Sequence, residues 1–200
     1  MSPHAKHLSA DVRRELTVEA VVALSAEQNP ADITTAAIAQ RMGLTQGAVF
    51  RHFRSKEEIL GAVMDWVAER LLRRLDEARA TATDVPSALE AMFLAHAGFV
   101  AEHPGAPRML LCELQRAEDT TAKRMARTLI AGYGRRLAKL MEDGKRVGEL
   151  DADLEVDTAV MLFIGSIQGL VMQGLIADDL CRISERAPAV FALYRRAIGA

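Results

Sequence analysis

Between Arg41 and Lys56 the chain carries Arg41, Arg51, Arg54 and Lys56, with His52 among them and no acidic residue. A basic run of this kind suits phosphate, whose oxygens accept from guanidinium, ammonium and imidazole donors. Within the run, the Gln46 amide donates and accepts at once, the pairing that reads adenine N6 and N7 in the major groove. Thr45 can reach either a phosphate or a base edge. Gly47 and Ala48 lack the bulk that would hold a backbone away from the groove or from a thymine methyl. Arg51, His52, Arg54 and Lys56 suit phosphates, which position a protein without reading sequence. Recognition of duplex DNA is the chemistry expected here.

No other chemistry has comparable support. No serine sits on a glycine elbow, and HExxH, P-loop and GxGxxG patterns are all missing, so neither catalytic residues nor a cofactor are expected. His96 and His103 are seven apart and share a helix face, with Cys112 and Glu113 beyond a Pro-Gly-Ala-Pro turn. Two histidines alone are not a metal site, and a satisfied or solvent-facing pair is the default expectation. Cys112 and Cys181 are lone cysteines, which fits reduced thiols in a cytoplasmic protein. A net charge of −2 excludes a generally basic coat but not one local basic face. No charged stretch precedes an apolar run at the N-terminus, so no signal peptide is expected.

Two hundred residues, half of them apolar, suffice for a small head and a larger body with separate cores. No stretch alternates with period two for long, and an all-α chain is the economical reading. Residues 34–53, TTAAIAQRMGLTQGAVFRHF, have the shape of a helix-turn-helix. Ile38 and Ala39 would face inward, Gly43 would end the first helix, and Thr45 would cap a second running to about His52. Val49, Phe50 and Phe53 would anchor that helix to the core. A first helix from Ser9 to about Glu27 would bury Leu16, Val21 and Leu24. Ser55-Lys56-Glu57-Glu58 reads as a capping box that opens a helix to about Ala80. Ile59, Leu60 and Val63 of that helix would pack in the head, and Leu71 and Leu75 in the body.

Further helices are expected from Val85 to about Glu102, from Pro107 to Gln115, from Asp119 to Val147, over 153–177 and over 184–198. The segment Ala159–Ala177 is long and apolar enough to cross a membrane. However, Gln168 and Gln173 lie in its middle and acidic residues flank it, so no membrane is expected. A helix buried nearly all round in a dimer, with Gly165 and Gly169 permitting close approach, explains the same features.

The run IAQRMGLTQGAVFRHFRSKEEIL closely resembles the DNA-binding signature of the TetR family of bacterial regulators, and the match covers about residues 12–66. The resemblance implies an all-helical homodimer. A head over 9–69, with its motif at 34–53, would bind an operator, and a body over 70–200 would bind a small effector and dimerise. It also implies that Thr35 touches the DNA backbone. Where the family usually has tyrosine this chain has Phe50, so only the ring's packing role carries over. Family helices carrying Phe93, His96, Phe99 and Val100, then Met109 and Leu110, surround the body's centre. Met125, Leu129, Tyr133, Met161 and Gln168 complete that expected pocket, with His96, Tyr133 and Gln168 as polar anchors and a largely apolar effector. A repressor released by its effector is the leading expectation. A ligand-free architectural or division-linked DNA-binding protein acting through a protein partner is the alternative.

Overall fold

A computed structural model describes residues 9–199, and among them there are helices and turns but no strand. In chain order the helices are α1 (Ala10–Glu27), α2 (Thr35–Arg41), α3 (Gln46–Phe50), α4 (Lys56–Ala80) and α5 (Val85–Glu102). They continue with α6 (Gly105–Gln115), α7 (Thr121–Val147), α8 (Val156–Ile176) and α9 (Ile183–Ala197). Two compact units result. The first runs to Val67 and adds His103–Ala126, and the second comprises Ala68–Glu102 and Arg127 onward. The division falls inside α4 and α7, so each of those helices belongs in part to both units.

In the first unit, the Ser9 hydroxyl accepts from the Val12 N–H at 3.3 Å and starts α1. The helix buries Val18, Val21, Val22 and Leu24, whereas Leu16, expected on that face, is 41% exposed. Leu16 lies about 200° around the helix from Val18, on the opposite side. After α1, the Asn29 side chain accepts from the Ala31 N–H at 3.1 Å and shapes a short 3₁₀ turn over Pro30–Asp32. Helix α6 lies across α1 at Gly105. A Cβ there would stand 1.9 Å from the Val22 carbonyl oxygen and 3.0 Å from the Ala26 nitrogen. Glycine is thus required there by the approach of two backbones.

In the second unit α5, α8 and α9 pack together around aromatic rings. Phe93 stands edge-on to Phe163 with centroids 5.2 Å apart, and Phe163 stands edge-on to Tyr194 at 5.4 Å. The Tyr194 hydroxyl donates to the Ala159 carbonyl at 3.0 Å, so that buried phenol is satisfied. Helix α7 ends on a left-handed glycine. Gly148 has φ +78°, and the N–H groups of Gly148 and Glu149 donate to the carbonyls of Lys145 and Gly144.

Helix α8 starts three residues later than expected. It begins at Val156, where the Glu155 carboxylate caps it by accepting from the Thr158 N–H at 3.0 Å. Within one chain only one face is covered, through Ala159, Phe163, Ile167 and Leu170. Met161, Leu162, Met172 and Ile176 are exposed, and open space lies in front of Gly165 and Gly169.

The crossing at Gly105 carries a direct prediction. Gly105→Ala forces α6 off α1 and should lower stability by about 1–3 kcal/mol, the usual cost of overpacking a site that cannot give. Urea unfolding measures it, and a midpoint equal to that of the unmutated protein would contradict the required close approach.

Candidate nucleic-acid interface

Helices α2 and α3 form a helix-turn-helix held by its own caps. The Thr34 hydroxyl accepts from the Ala37 N–H at 3.1 Å and starts α2. At the other end Gly43 adopts φ +64°. Its N–H donates to the Gln40 carbonyl at 3.1 Å, and the Leu44 N–H donates to the Ala39 carbonyl at 2.8 Å. This paired arrangement satisfies two carbonyls that the helix end leaves open. Thr45 then caps α3 by accepting from the Ala48 N–H at 3.3 Å. Ile38, Ala39, Val49 and Phe53 are buried, which fixes the two helices against each other.

Thr45, Gln46 and Gly47 are exposed at the start of α3, with nothing within 4 Å of where a Gly47 Cβ would stand. Ala48 is half-buried beside them. Arg51 is exposed, while His52 is half-buried in the turn that follows α3. The helix ends at Phe50 rather than at His52. Phe50 is 45% exposed and does not serve as the core anchor expected of it, a role left to Val49 and Phe53. Thr35 is half-buried in the first turn of α2. Lys56 is partly committed, since its ammonium donates to the Ala31 carbonyl at 3.2 Å. Arg41 is also engaged. Its guanidinium holds the Glu27 carboxylate at 2.7 and 2.8 Å and ties the end of α2 to the end of α1.

Sequence reasoning missed the residue that joins these pieces. Arg14 of α1 donates to the His52 carbonyl, stands 3.1 Å from a Glu58 oxygen, and lies with its Cζ 4.2 Å from the Phe53 ring centre. The capping box differs from its expected form as well. Ser55 does accept from the Glu58 N–H at 3.1 Å, but the Glu58 carboxylate reaches the Arg54 N–H at 2.7 Å. That backbone bond, followed by the Arg14 guanidinium, holds the Glu58 carboxyl below the usual range. A signal for Arg14 was present, because it falls on the stripe of Val18, Val21 and Ser25 along α1.

The residues expected around an effector separate into three groups. Phe93, Phe99, Val100, Leu129 and Tyr133 are buried within the second unit, and His96 is half-buried there, its ring centre 5.6 Å from that of Tyr133. Met161 and Gln168 do not join them. Both lie on the exposed face of α8, Met161 being 73% exposed and Gln168 following the buried Ile167. Met109, Leu110 and Met125 belong to the first unit. There Met109 lines a recess of about 210 Å³ with Lys56 and Cys112, and Met125 lines one of about 450 Å³ with Glu57 and Gly61. His103 stands edge-on to Trp66 at 5.1 Å, and Glu113 accepts from the Thr120 hydroxyl at 3.0 Å. Among the described residues no group of three or more His, Cys, Asp or Glu side chains is placed to hold a metal. Both cysteines are free.

A capped helix-turn-helix with an open first turn on its second helix defines a DNA-binding protein of the helix-turn-helix class. Residues 18–63 match the family model described as bacterial regulatory proteins, tetR family. It is 27% identical over 172 residues to the nucleoid occlusion factor SlmA of Marinobacter nauticus, a match covering 82% of this chain and 86% of that protein. With SlmA of a Marinomonas species the identity is 28% over 101 residues, and the match spans only 51% of that protein. A solved structure of FadR from Bacillus subtilis, in complex with stearoyl-CoA, superposes with a TM-score of 0.79 at 19% identity. It covers 90% of this chain and 96% of that one. At that identity the likeness concerns the fold. The family and its structural neighbours are regulators of transcription rather than enzymes.

Proposed function

We propose that the chain is a cytoplasmic homodimeric repressor whose operator is released when a small effector binds the second unit. A DNA-binding head over 9–69 and an effector and dimerisation body over 70–200 divide the work. The observation that carries the reading is the first turn of α3. Gln46 and Gly47 stand exposed there, and the backbone of Gly47 has open space before it. On this reading Gln46 reads a base, Thr45, Gly47 and Ala48 lie against the groove, and Thr35, Arg51 and His52 contact phosphates. Lys56 adds a weaker phosphate contact, because one of its donors is held by Ala31.

The exposed face of α8 supports the dimer. Met161, Met172 and Ile176 there, with Leu193 of α9 61% exposed, form more apolar surface than a lone chain ordinarily leaves uncovered. Alpha-helical length and apolarity alone would also let α8 cross a membrane. A second copy of the same face explains it without placing Gln168 and Gln173 in lipid. Two heads related by a two-fold axis would then meet major grooves about 34–36 Å apart, and the effector would favour an arrangement that misses this spacing. Helix α4, which belongs to both units, is the natural carrier of that shift, with Leu71 and Leu75 buried in its second half.

A second reading rests on the similarity to the nucleoid occlusion factor SlmA across most of the chain. An architectural DNA-binding protein of this fold, acting through a protein partner, would need no effector. The packed rings around Phe93 and Phe163 are compatible with it.

Two outcomes are expected. Against duplexes selected from random sequence, Gln46→Ala should cost about 1–3 kcal/mol and relax preference at one base pair per half-site. Arg51→Ala should weaken binding to all sequences alike and flatten the salt dependence by about one unit of slope. Loss of affinity in both variants with base preference unchanged would remove Gln46 as a reader. For the dimer, sedimentation of the unmutated chain at micromolar concentration should give a dimer and Met161→Glu with Leu193→Glu a folded monomer. An unmutated monomer that partitions into lipid vesicles would contradict the two-fold interface.

A further inference from the structure

The interior of the second unit holds a polar pair that the fold does not satisfy. Tyr133 on α7 is 3% exposed, and its hydroxyl has no hydrogen-bond partner. The Nδ1 of His96 on α5 is likewise buried and unpartnered. The two rings are neighbours, tilted by 53° with centroids 5.6 Å apart, yet neither bonds the other. The other tyrosine of the chain, Tyr194, has its hydroxyl on the Ala159 carbonyl. Buried polar groups in folded proteins nearly always find partners, and two orphans side by side call for one from outside the chain.

The surroundings restrict what that partner can be. Burial pulls the His96 imidazole down to about 4, so at neutral pH it carries no charge. Burial pushes the Tyr133 phenol up, so it too is uncharged. The buried charged side chains among the described residues, Glu113 and Lys123, both belong to the first unit. The side of Tyr133 is lined by Phe163, edge-on at 6.2 Å, which in turn meets Phe93. A carboxylate or ammonium placed here would find no counter-charge, and an unpaired buried charge is far costlier than an unpaired dipole. A hydroxyl or carbonyl oxygen can accept from the Tyr133 O–H. A hydroxyl can also donate to an unprotonated Nδ1, and a carbonyl can accept from the alternative tautomer.

We propose that His96 and Tyr133 form the polar end of a binding site for an uncharged, largely apolar molecule bearing a single hydroxyl or carbonyl group. This rests on the effector reading given above and narrows its chemistry. The test compares 1-octanol, 2-octanone and octanoate, three probes of equal chain length, by thermal unfolding of the full chain and of Tyr133→Phe. The alcohol and the ketone should raise the melting temperature with concentration, as any ligand selective for the folded state does. Octanoate at the same concentrations should not. Tyr133→Phe should weaken the alcohol about tenfold, the loss of one buried hydrogen bond, and should itself be at least as stable as the unmutated protein without probe. Stabilisation by octanoate as strong as by the alcohol, and equally dependent on Tyr133, overturns the uncharged class while leaving an effector site in place. No shift with any of the three overturns the proposal together with the effector reading for this pair.

Discussion

The guanidinium of Arg14 is where three elements of the first unit meet. It comes from α1, donates to the carbonyl of His52 just after α3, and faces the carboxylate of Glu58 in the first turn of α4. The five-residue α3 is too short to be stable alone, because a helix of that length scarcely repays its own nucleation. Its position therefore depends on what grips its ends. Thr45 and the Gly43 turn grip the start, and Arg14 with the buried Phe53 grips the finish. The charge–charge part of this contact is modest, since both side chains are more than a third exposed. The directional bond to a backbone carbonyl supplies what matters here, a fixed register between α1 and the exit of α3.

That constraint separates two kinds of basic residue that look alike in the sequence. Arg14 and Arg41 are spent on structure, and Lys56 is partly so. Arg51 is exposed at the far end of α3 from the open first turn, where Gln46 and Gly47 stand. A surface that positions on phosphate and reads one or two bases needs little more than this. The modest overall charge is then no obstacle, because only one face has to be positive.

Much of this was legible in the sequence. Gly43, Thr45 and Ser55 announced their turns and caps, because glycine in the left-handed region and hydroxyls before helices have strong local causes. The helix boundaries followed within a few residues. What could not be read locally was set by packing partners distant in the chain. Gly105 sits in what reads locally as a turn, while its small size serves the approach to Val22 eighty-odd residues earlier. Phe50 reads as an anchor beside Val49, but the adjacent Val49 turns inward and leaves Phe50 45% exposed, about 100° around the helix. Met161 and Gln168 were placed with the interior because α8 is apolar on nearly every side, which hides its orientation from any periodicity.

The central claim is that α3 and the turn after it are the surface that meets DNA. Amide hydrogen exchange of the full chain, with and without a duplex selected from random sequence, tests it most directly. The account predicts slowed exchange on binding over residues 45–53 and at the start of α4, with α8 and α9 unchanged. Protection confined to other segments, with 45–53 exchanging as before, would contradict it.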